Sequence, residues 1–320
     1  MKALVTGIAG FAGVHLVRLL RARGYHISGI VQDFALPAAT AQALEGVPLY
    51  RCEITEAKKL AAIVEKMRPD EIYHLAAISS VPFAREHPGL TFDVNIEGTR
   101  NLLRAAAALG RPRFLFVSTA QVYRLPPGGK LLTEKTPLAP ANAYAASKAV
   151  GEMLVRRAAE ESGLRAVIVR PTNMVGPGQS DRFAIGNFTR QVAEILLHSR
   201  EPVLRTGDLS RQRDFLDVRD GVRGMYLALR KGFPGETYNI CSGRAHSLRE
   251  AVNLLRRLSR MQITVRTDRA QIRNNDPARI AGSAAKLRRR TGWRPLASFA
   301  QSLADALGDT VQELAGTGRK

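Results

Sequence analysis

A glycine-rich turn near the start of the chain most constrains its fold. The stretch "TGIAGFAG" places Gly7, Gly10 and Gly13 between a β-rich run and an amphipathic helix pattern. Gly7 permits a tight turn, Gly10 lets the backbone approach a pyrophosphate, and Gly13 lets the helix pack closely on the strand. The N–H groups that open the helix, at Phe11 and Ala12, suit phosphate oxygens. The pattern therefore predicts a dinucleotide-binding βα unit.

The first half of the chain alternates short apolar strands with amphipathic helices. This alternation predicts a doubly wound parallel sheet of the Rossmann type, covered by helices on both faces. The pattern loosens after Pro171, which predicts a smaller mixed α/β substrate domain. We expect a cofactor domain over 1–172 and a mainly substrate-binding domain over 173–320, with segments around 207–243 returning to the first. The predicted strands are 2–6, 26–31, 48–51, 71–75, 113–118 and 165–170, and the helices about 11–23, 56–67, 90–109 and 143–162.

Composition narrows the choice of partner and location. Lys and Arg total 48 against 28 Asp and Glu, a net charge of +20. Such charge suits nucleic acid or an anionic small substrate, and the scattered basic residues favour the small substrate. Two cysteines without CxxC spacing and six unpaired histidines predict no metal site. No long apolar segment or signal peptide is evident, so we expect no membrane span and a cytoplasmic protein.

Tyr144 and Lys148 predict proton-transfer chemistry. They lie four residues apart on a predicted helix and therefore share one face. A nearby ammonium is expected to lower the pKa of the tyrosine, which could then exchange a proton with a substrate oxygen. A hydroxyl at the end of the fifth strand, from "ST" at 118–119, could bind the same oxygen.

These motifs together resemble the extended short-chain dehydrogenase/reductase family. Its catalytic hydroxyl falls on Thr119, beside Tyr144 and Lys148. "HLAA" and "NIEGTRNLL" resemble the family's cofactor loop and following helix. The expected acid after the second strand falls on Val31, followed by Gln32 and Asp33, so NAD and NADP both remain open. Besides the glycine turn and the catalytic pair, the resemblance implies cofactor contacts from Gln32, Asp33, Glu53, Ile54, Leu75, Ala76, Ala77, Asn95 and Pro171.

The second half resembles the nucleotide-sugar branch of that family. "RPTNMVGPGQ" and "RQRDFLDVRD" carry the likeness, and the surrounding stretches look especially like enzymes that reduce GDP-4-dehydro-6-deoxy-D-mannose. Two arginines converging on a diphosphate would offer bidentate, permanently charged donors. The resemblance implies a GDP-sugar substrate, a homodimer, and substrate contacts from Ser118, Gln121, Asn173, Arg182, Arg213, Arg273 and Asp276.

Position 121 separates the candidate reactions. Dehydratases of this branch carry an acid there for loss of water, and an amide cannot ionise. Gln121 therefore favours a C4 ketoreductase, with Tyr144 as proton donor, over a GDP-mannose 4,6-dehydratase. A nucleotide-sugar 4-epimerase remains an alternative, because it needs the same catalytic residues. A catalytically silent Rossmann protein is disfavoured by the intact Thr119, Tyr144 and Lys148.

Overall fold

The main sheet is seven-stranded, parallel and doubly wound. The computed structural model of the protein describes residues 1–110, 112–268 and 277–317. The strand order is β10-β6-β5-β4-β1-β2-β3, so the chain reverses its direction of growth between β1 and β4. The predicted doubly wound sheet is confirmed. Its strands are β1 (Lys2–Thr6), β2 (His26–Val31), β3 (Leu49–Arg51), β4 (Glu71–His74), β5 (Arg113–Val117), β6 (Arg165–Pro171) and β10 (Thr237–Ile240).

Helices cover both faces of this sheet because its strands are apolar on both sides. One face packs against α1 (Phe11–Arg21) and α9 (Val218–Lys231), around buried residues such as Leu16 and Met225. The other packs against α3 (Ala57–Met67), α6 (Gly98–Leu109) and α7 (Ala143–Ser162). The carboxyl ends of β1 and β4 therefore meet at the switch point, where open α/β sheets bind ligands. The short α2 (Ala38–Ala43) follows β2.

The helix predicted over 90–109 is divided. The chain forms α4 (Val81–Glu86), α5 (Pro88–Phe92) and then a π-helical turn over Asp93–Glu97 that leads into α6. The wide turn contains Asn95, whose side chain contacts the neighbouring loop and α7. A π turn of this kind is common at functional sites.

A smaller unit lies beyond β6. The strands β7 (Asn173–Val175), β9 (Gln212–Asp217), β11 (Ala245–Ser247) and β13 (Arg279–Ile280) form one sheet, and β8 (Val203–Thr206) pairs with β12 (Thr264–Thr267). A separate apolar core holds α8 (Ala184–Leu196), α10 (Leu248–Ser259) and α12 (Phe299–Thr317) together. The strand β10 and helix α9 belong to the main sheet and its cover. The short α11 (Ala285–Thr291) also packs on α9.

Two kinds of feature are missing from the described ranges. No helix there is long and apolar enough to cross a membrane. No three His, Cys, Asp or Glu side chains in the same ranges converge as metal ligands.

Candidate active site

The glycine turn forms a cradle that leaves no room for side chains. Gly7 has a φ of +69°, and a Cβ there would lie 2.7 Å from the Ala76 nitrogen. A Cβ on Gly13 would lie 2.3 Å from the Gly7 oxygen. The first helical residues Phe11 and Ala12 follow Gly10, which offers no side-chain cap. The opening N–H groups of α1 are thus left for an anion, and the cradle fits a dinucleotide pyrophosphate.

Four of the residues predicted to contact the cofactor follow the neighbouring strands β2 and β3. Gln32 Nε2 donates to Glu53 Oε2 at 3.0 Å, and both residues are exposed. The Asp33 carboxylate accepts from the Ala35 nitrogen at 3.2 Å, which closes a local turn. Ile54 is buried directly beneath Gly98, where a Cβ would come within 2.4 Å of its side chain. This arrangement leaves both the NAD and the NADP alternatives open.

Asn95 fastens the cofactor loop to the catalytic helix. Its Oδ1 accepts from the Ile78 nitrogen at 2.8 Å. Its Nδ2 donates to the Ile78 oxygen at 3.0 Å and to Ser147 Oγ at 2.9 Å. Both amide hydrogens are therefore used by protein partners, and the direct cofactor contact inferred for Asn95 stays a prediction. The loop that it holds contains the partly exposed Leu75, Ala76 and Ala77.

His74 lies in the interior just before that loop. Its Nδ1 is 2.7 Å from Thr6 Oγ1, and its Nε2 is 2.9 Å from Thr99 Oγ1. The Thr99 hydroxyl donates to the Asn95 oxygen at 2.6 Å, so it accepts from the ring. Burial, with a smaller contribution from the nearby Lys148 charge, lowers the pKa of His74 to about 3. The imidazole is therefore neutral, with its proton on Nε2.

The helix α7 places the predicted catalytic pair at its buried start. Asn142 caps the helix by accepting from the Ala145 nitrogen at 2.9 Å. Tyr144 is 9% exposed and Lys148, one turn later, is 2% exposed. The Lys148 ammonium lies 4.2 Å from the centre of the Phe116 ring. Burial lowers the pKa of Lys148 to about 7, against a partial opposing effect of the Glu152 charge.

The expected lowering of the tyrosine pKa is wrong for this structure. Burial raises the pKa of Tyr144 to about 12, while a hydrogen bond with the Thr119 side chain acts in the opposite direction. Desolvation of the phenolate outweighs the favourable contact. Tyr144 is therefore a neutral phenol near neutral pH, which is the form that donates a proton.

Thr119 and Gln121 complete the centre from the end of β5. The Thr119 hydroxyl oxygen accepts from the Gln121 nitrogen at 3.2 Å and caps a short 3-10 turn. The half-buried Gln121 side chain accepts from Asn142 Nδ2 at 3.4 Å. The structure thus brings Thr119, Gln121 and Tyr144 together, as the sequence predicts.

Ser118, assigned to the substrate from sequence, has a different partner. It is 2% exposed, and its Oγ donates to Glu152 Oε1 at 2.6 Å. Glu152 also accepts from Arg156 and, through both oxygens, from Arg170. The serine hydroxyl is thus committed to a buried network beneath the site, which disfavours a substrate contact. Sequence reasoning missed Glu152, although its spacing of four residues from Lys148 on one helix could have indicated it.

The substrate candidates lie on the smaller unit above the sheet edge. Asn173 is half-buried on β7, and Pro171 ends β6 in the core. Arg213 Nη1 donates to the carbonyl oxygens of Gln212 at 2.7 Å and Pro277 at 2.8 Å. Arg182 is exposed in the loop before α8. The predicted contacts of Arg273 and Asp276 lie outside the described residues.

A hydrogen bond that sequence reasoning missed joins the two halves of the site. His15 Nε2 on α1 lies 2.8 Å from the Pro177 oxygen, in the loop that leads to Arg182. Burial lowers the pKa of His15, so the ring is neutral near pH 7 and donates to this carbonyl. The cofactor helix and the substrate loop are therefore held in contact.

Known proteins resemble this chain over nearly its whole length. Residues 4–306 match the family described as GDP-mannose 4,6 dehydratase. The chain belongs to this family. Its membership of the extended short-chain dehydrogenase/reductases, predicted from the motifs, is thereby confirmed.

Individual family members differ in reaction. GDP-6-deoxy-D-mannose reductase of Pseudomonas aeruginosa is 34% identical over 310 residues, which are 96% of each chain. The solved structure of RMD from Pseudomonas aeruginosa in complex with NADPH has a TM-score of 0.85 at 32% identity and covers 97% of this chain and 99% of its own. UDP-glucose 4-epimerase of Thermus thermophilus in complex with NAD has a TM-score of 0.86 at 29% identity, with coverage of 97% and 99%.

Proposed function

We propose that this protein reduces the C4 ketone of a GDP-4-keto-6-deoxy-hexose with NADPH or NADH. Similarity to GDP-6-deoxy-D-mannose reductase over 96% of both chains supports the substrate class. The similar structures that contain NADPH and NAD support a nicotinamide cofactor, and the glycine cradle fits one. When bound, the nicotinamide supplies the hydride.

Tyr144 is the proposed proton donor to the substrate oxygen. Its phenol is neutral near pH 7 because burial raises its pKa to about 12. As the C4 oxygen gains negative charge, the phenol can transfer its proton there. Thr119, whose side chain interacts with Tyr144, can donate a second hydrogen bond to the same oxygen. The Lys148 ammonium one turn away favours the phenolate that remains.

One observation favours ketone reduction over a dehydratase reaction. Gln121 places an amide at the position where a dehydratase needs an acid to remove water. Gln121 lies beside Thr119, and its oxygen accepts from Asn142. An amide neither removes a proton from C5 nor protonates a leaving C6 hydroxyl at neutral pH. Reduction needs no acid at position 121, only Thr119, Tyr144, Lys148 and an exchangeable nicotinamide cofactor.

The assay uses purified protein, GDP-4-keto-6-deoxy-mannose and NADPH or NADH. We expect oxidation of at least one cofactor at 340 nm and a C4 alcohol in the product by NMR. Absence of oxidation with both cofactors would contradict the proposal. Turnover of GDP-mannose to the keto sugar would instead support a dehydratase, and purified protein that retains NAD⁺ and interconverts nucleotide sugars would support an epimerase.

A homodimer through α7 and the helices before it is also proposed. Apolar residues on α6 and α7 are the candidates for this interface, but Leu102, Leu103 and Ala106 on α6 are buried in the core of the subunit and do not form it. Met153 on α7 is 66% exposed and Val150 is 37% exposed, which supports an apolar contact surface there. Light scattering should give twice the chain mass for the wild type and the monomer mass for Met153→Glu. The cytoplasmic location stays a prediction.

A further inference from the structure

A fully buried carboxylate lies behind the catalytic residues. The Glu152 side chain has no exposed surface. Its Oε1 accepts from Ser118 Oγ at 2.6 Å and from Arg170 Nε at 2.7 Å. Its Oε2 accepts from Arg170 Nη2 and, at 3.1 Å, from Arg156 Nη2. Burial of a charge is costly, so this degree of pairing calls for a physical reason.

The network holds the Glu152 side chain in one position. The two-pronged contact with Arg170 is the strongest geometry available to a carboxylate. The Arg170 guanidinium lies 4.6 Å from the centre of the Tyr123 ring, and the Tyr123 hydroxyl donates to Asn239 Oδ1 at 2.6 Å. Arg156 also donates to Thr237 Oγ1 at 3.0 Å. Groups from β6, from α7 and from the residue after β5 thus meet at one carboxylate, and β10 supports them through Thr237 and Asn239.

One arm of the network reaches the catalytic hydroxyl. Ser118, bound by Glu152, directly precedes Thr119 in the chain. The Ser118 nitrogen also donates to the Val169 oxygen at 2.8 Å, which anchors the same residue to β6. The Ser118–Glu152 bond therefore ties the end of β5 to α7, so that Thr119 and Tyr144 are held in one geometry.

The other arm is electrostatic and acts on Lys148. The titratable groups near this ammonium include Glu152 and Tyr144 on its own helix and the neutral His74 on β4, and the cations Arg156 and Arg170 contact Glu152. On β5 it faces the Phe116 ring. Burial lowers the pKa of Lys148, and the Glu152 charge raises it. Among these groups, Glu152 is the negative charge that favours the ammonium.

We propose that Glu152 is a positioning residue of this active site, which holds Thr119 in place through Ser118 and favours the charged form of Lys148 through its own negative charge. The kinetic consequences rest on the proposed reductase function, whereas the effect on Lys148 does not. The variants Glu152→Gln and Ser118→Ala separate the two arms. Glu161→Gln is the matched control, because Glu161 lies on the same helix in an exposed pair with Arg157.

The electrostatic arm is tested without substrate. Protein labelled with ¹³Cε-lysine is titrated by NMR, and the Lys148 signal is assigned from its loss in Lys148→Met. We expect Glu152→Gln to lower the pKa of Lys148 by about one to two pH units, from Coulomb's law at helical spacing. Ser118→Ala and Glu161→Gln should leave it unchanged. An unchanged pKa in Glu152→Gln would overturn this arm.

Loss of the carboxylate leaves Arg170 unpaired, which can prevent folding. In that case the double variant Glu152→Gln, Arg170→Gln is compared with Arg170→Gln alone, because both lack the same cation and differ only in the Glu152 charge. We expect a lower Lys148 pKa in the double variant than in Arg170→Gln, and equal or reversed values would overturn the electrostatic arm.

The positioning arm is tested by kinetics on the keto sugar. Ser118→Ala should lower kcat by roughly tenfold to a hundredfold with little change in KM, because Thr119 is misplaced while the charges remain. Glu152→Gln should also move the basic limb of the kcat profile to lower pH. Full kcat in Ser118→Ala would overturn this arm. Failure of the wild type to reduce the keto sugar would overturn the proposed function and leave the NMR result standing.

Discussion

The catalytic interior and the substrate edge of this site differ in how far their side chains are buried. In the catalytic interior, Thr119, Tyr144 and Lys148 are each less than a tenth exposed. At the substrate edge, Arg182 is exposed and Arg213 is half-buried. Reacting groups gain from a fixed position and a low dielectric, since both strengthen directed electrostatic effects. Groups that meet a charged ligand must stay accessible before it binds.

The largest expected effect is removal of the proton donor from the catalytic interior. Tyr144→Phe should lower kcat by about 10²- to 10⁴-fold, the usual contribution of a positioned general acid. Binding of NADPH, measured by fluorescence, should be nearly unchanged because the ring remains. Wild-type turnover in this variant would remove Tyr144 from the mechanism.

A substitution in the glycine cradle tests whether the cofactor end of the site is packed as tightly as the catalytic interior. Gly13→Ala should destabilise the fold by about 1 to 3 kcal/mol and weaken cofactor binding, because its Cβ would meet the Gly7 oxygen at 2.3 Å. Gly308→Ala is the control, since that exposed helical glycine has no atom within 4 Å of an added Cβ. It should leave stability unchanged or slightly raised. Equal melting temperatures for the two variants would contradict the prediction.

The pH dependence of stability at His74 tests how fully the catalytic interior excludes water. Its pKa is about 3 in the folded protein and near 6.5 when unfolded. Between these values only the unfolded chain binds the proton, so the free energy of unfolding falls as pH falls from 6.5 towards 3. The slope from this residue is at most about 1.4 kcal/mol per pH unit. Denaturant unfolding of His74→Gln at a series of pH values should lack that slope, whereas an undiminished slope would place the proton uptake elsewhere.

The smallest expected effect lies at the substrate edge. Arg182→Ala should raise KM for the GDP-sugar by roughly tenfold with little change in kcat, as expected for loss of a phosphate-binding guanidinium. Arg289→Ala, an exposed arginine on α11, serves as the charge-matched control. A fall in kcat at unchanged KM would show that Arg182 acts in the catalytic interior instead.

Periodicity and motifs predict most of the larger elements. The predicted helix over 143–162 matches the bounds of α7, because its pattern of apolar residues, its cap and its final glycine agree. The helix α12 and the strand β9 are absent from the prediction. Strand β9 carries Arg213, Asp214 and Asp217, a charged run that is not typical of a strand. The fully buried Asp214 accepts backbone hydrogen bonds from Ser242 and Gly243, and these contacts exist only in the folded chain.

The sequence by itself determined the cofactor cradle and the shared helix face of Tyr144 and Lys148, since each depends on residues close in the chain, whereas the choice of Thr119 came from the family resemblance. The sequence also determined that position 121 carries an amide. Tertiary structure alone decided that Tyr144 is a neutral phenol, that Ser118 binds Glu152, and that His15 contacts Pro177. The reason is physical: burial and long-range pairing set the pKa of a group and its partner, and neither can be read from sequence spacing.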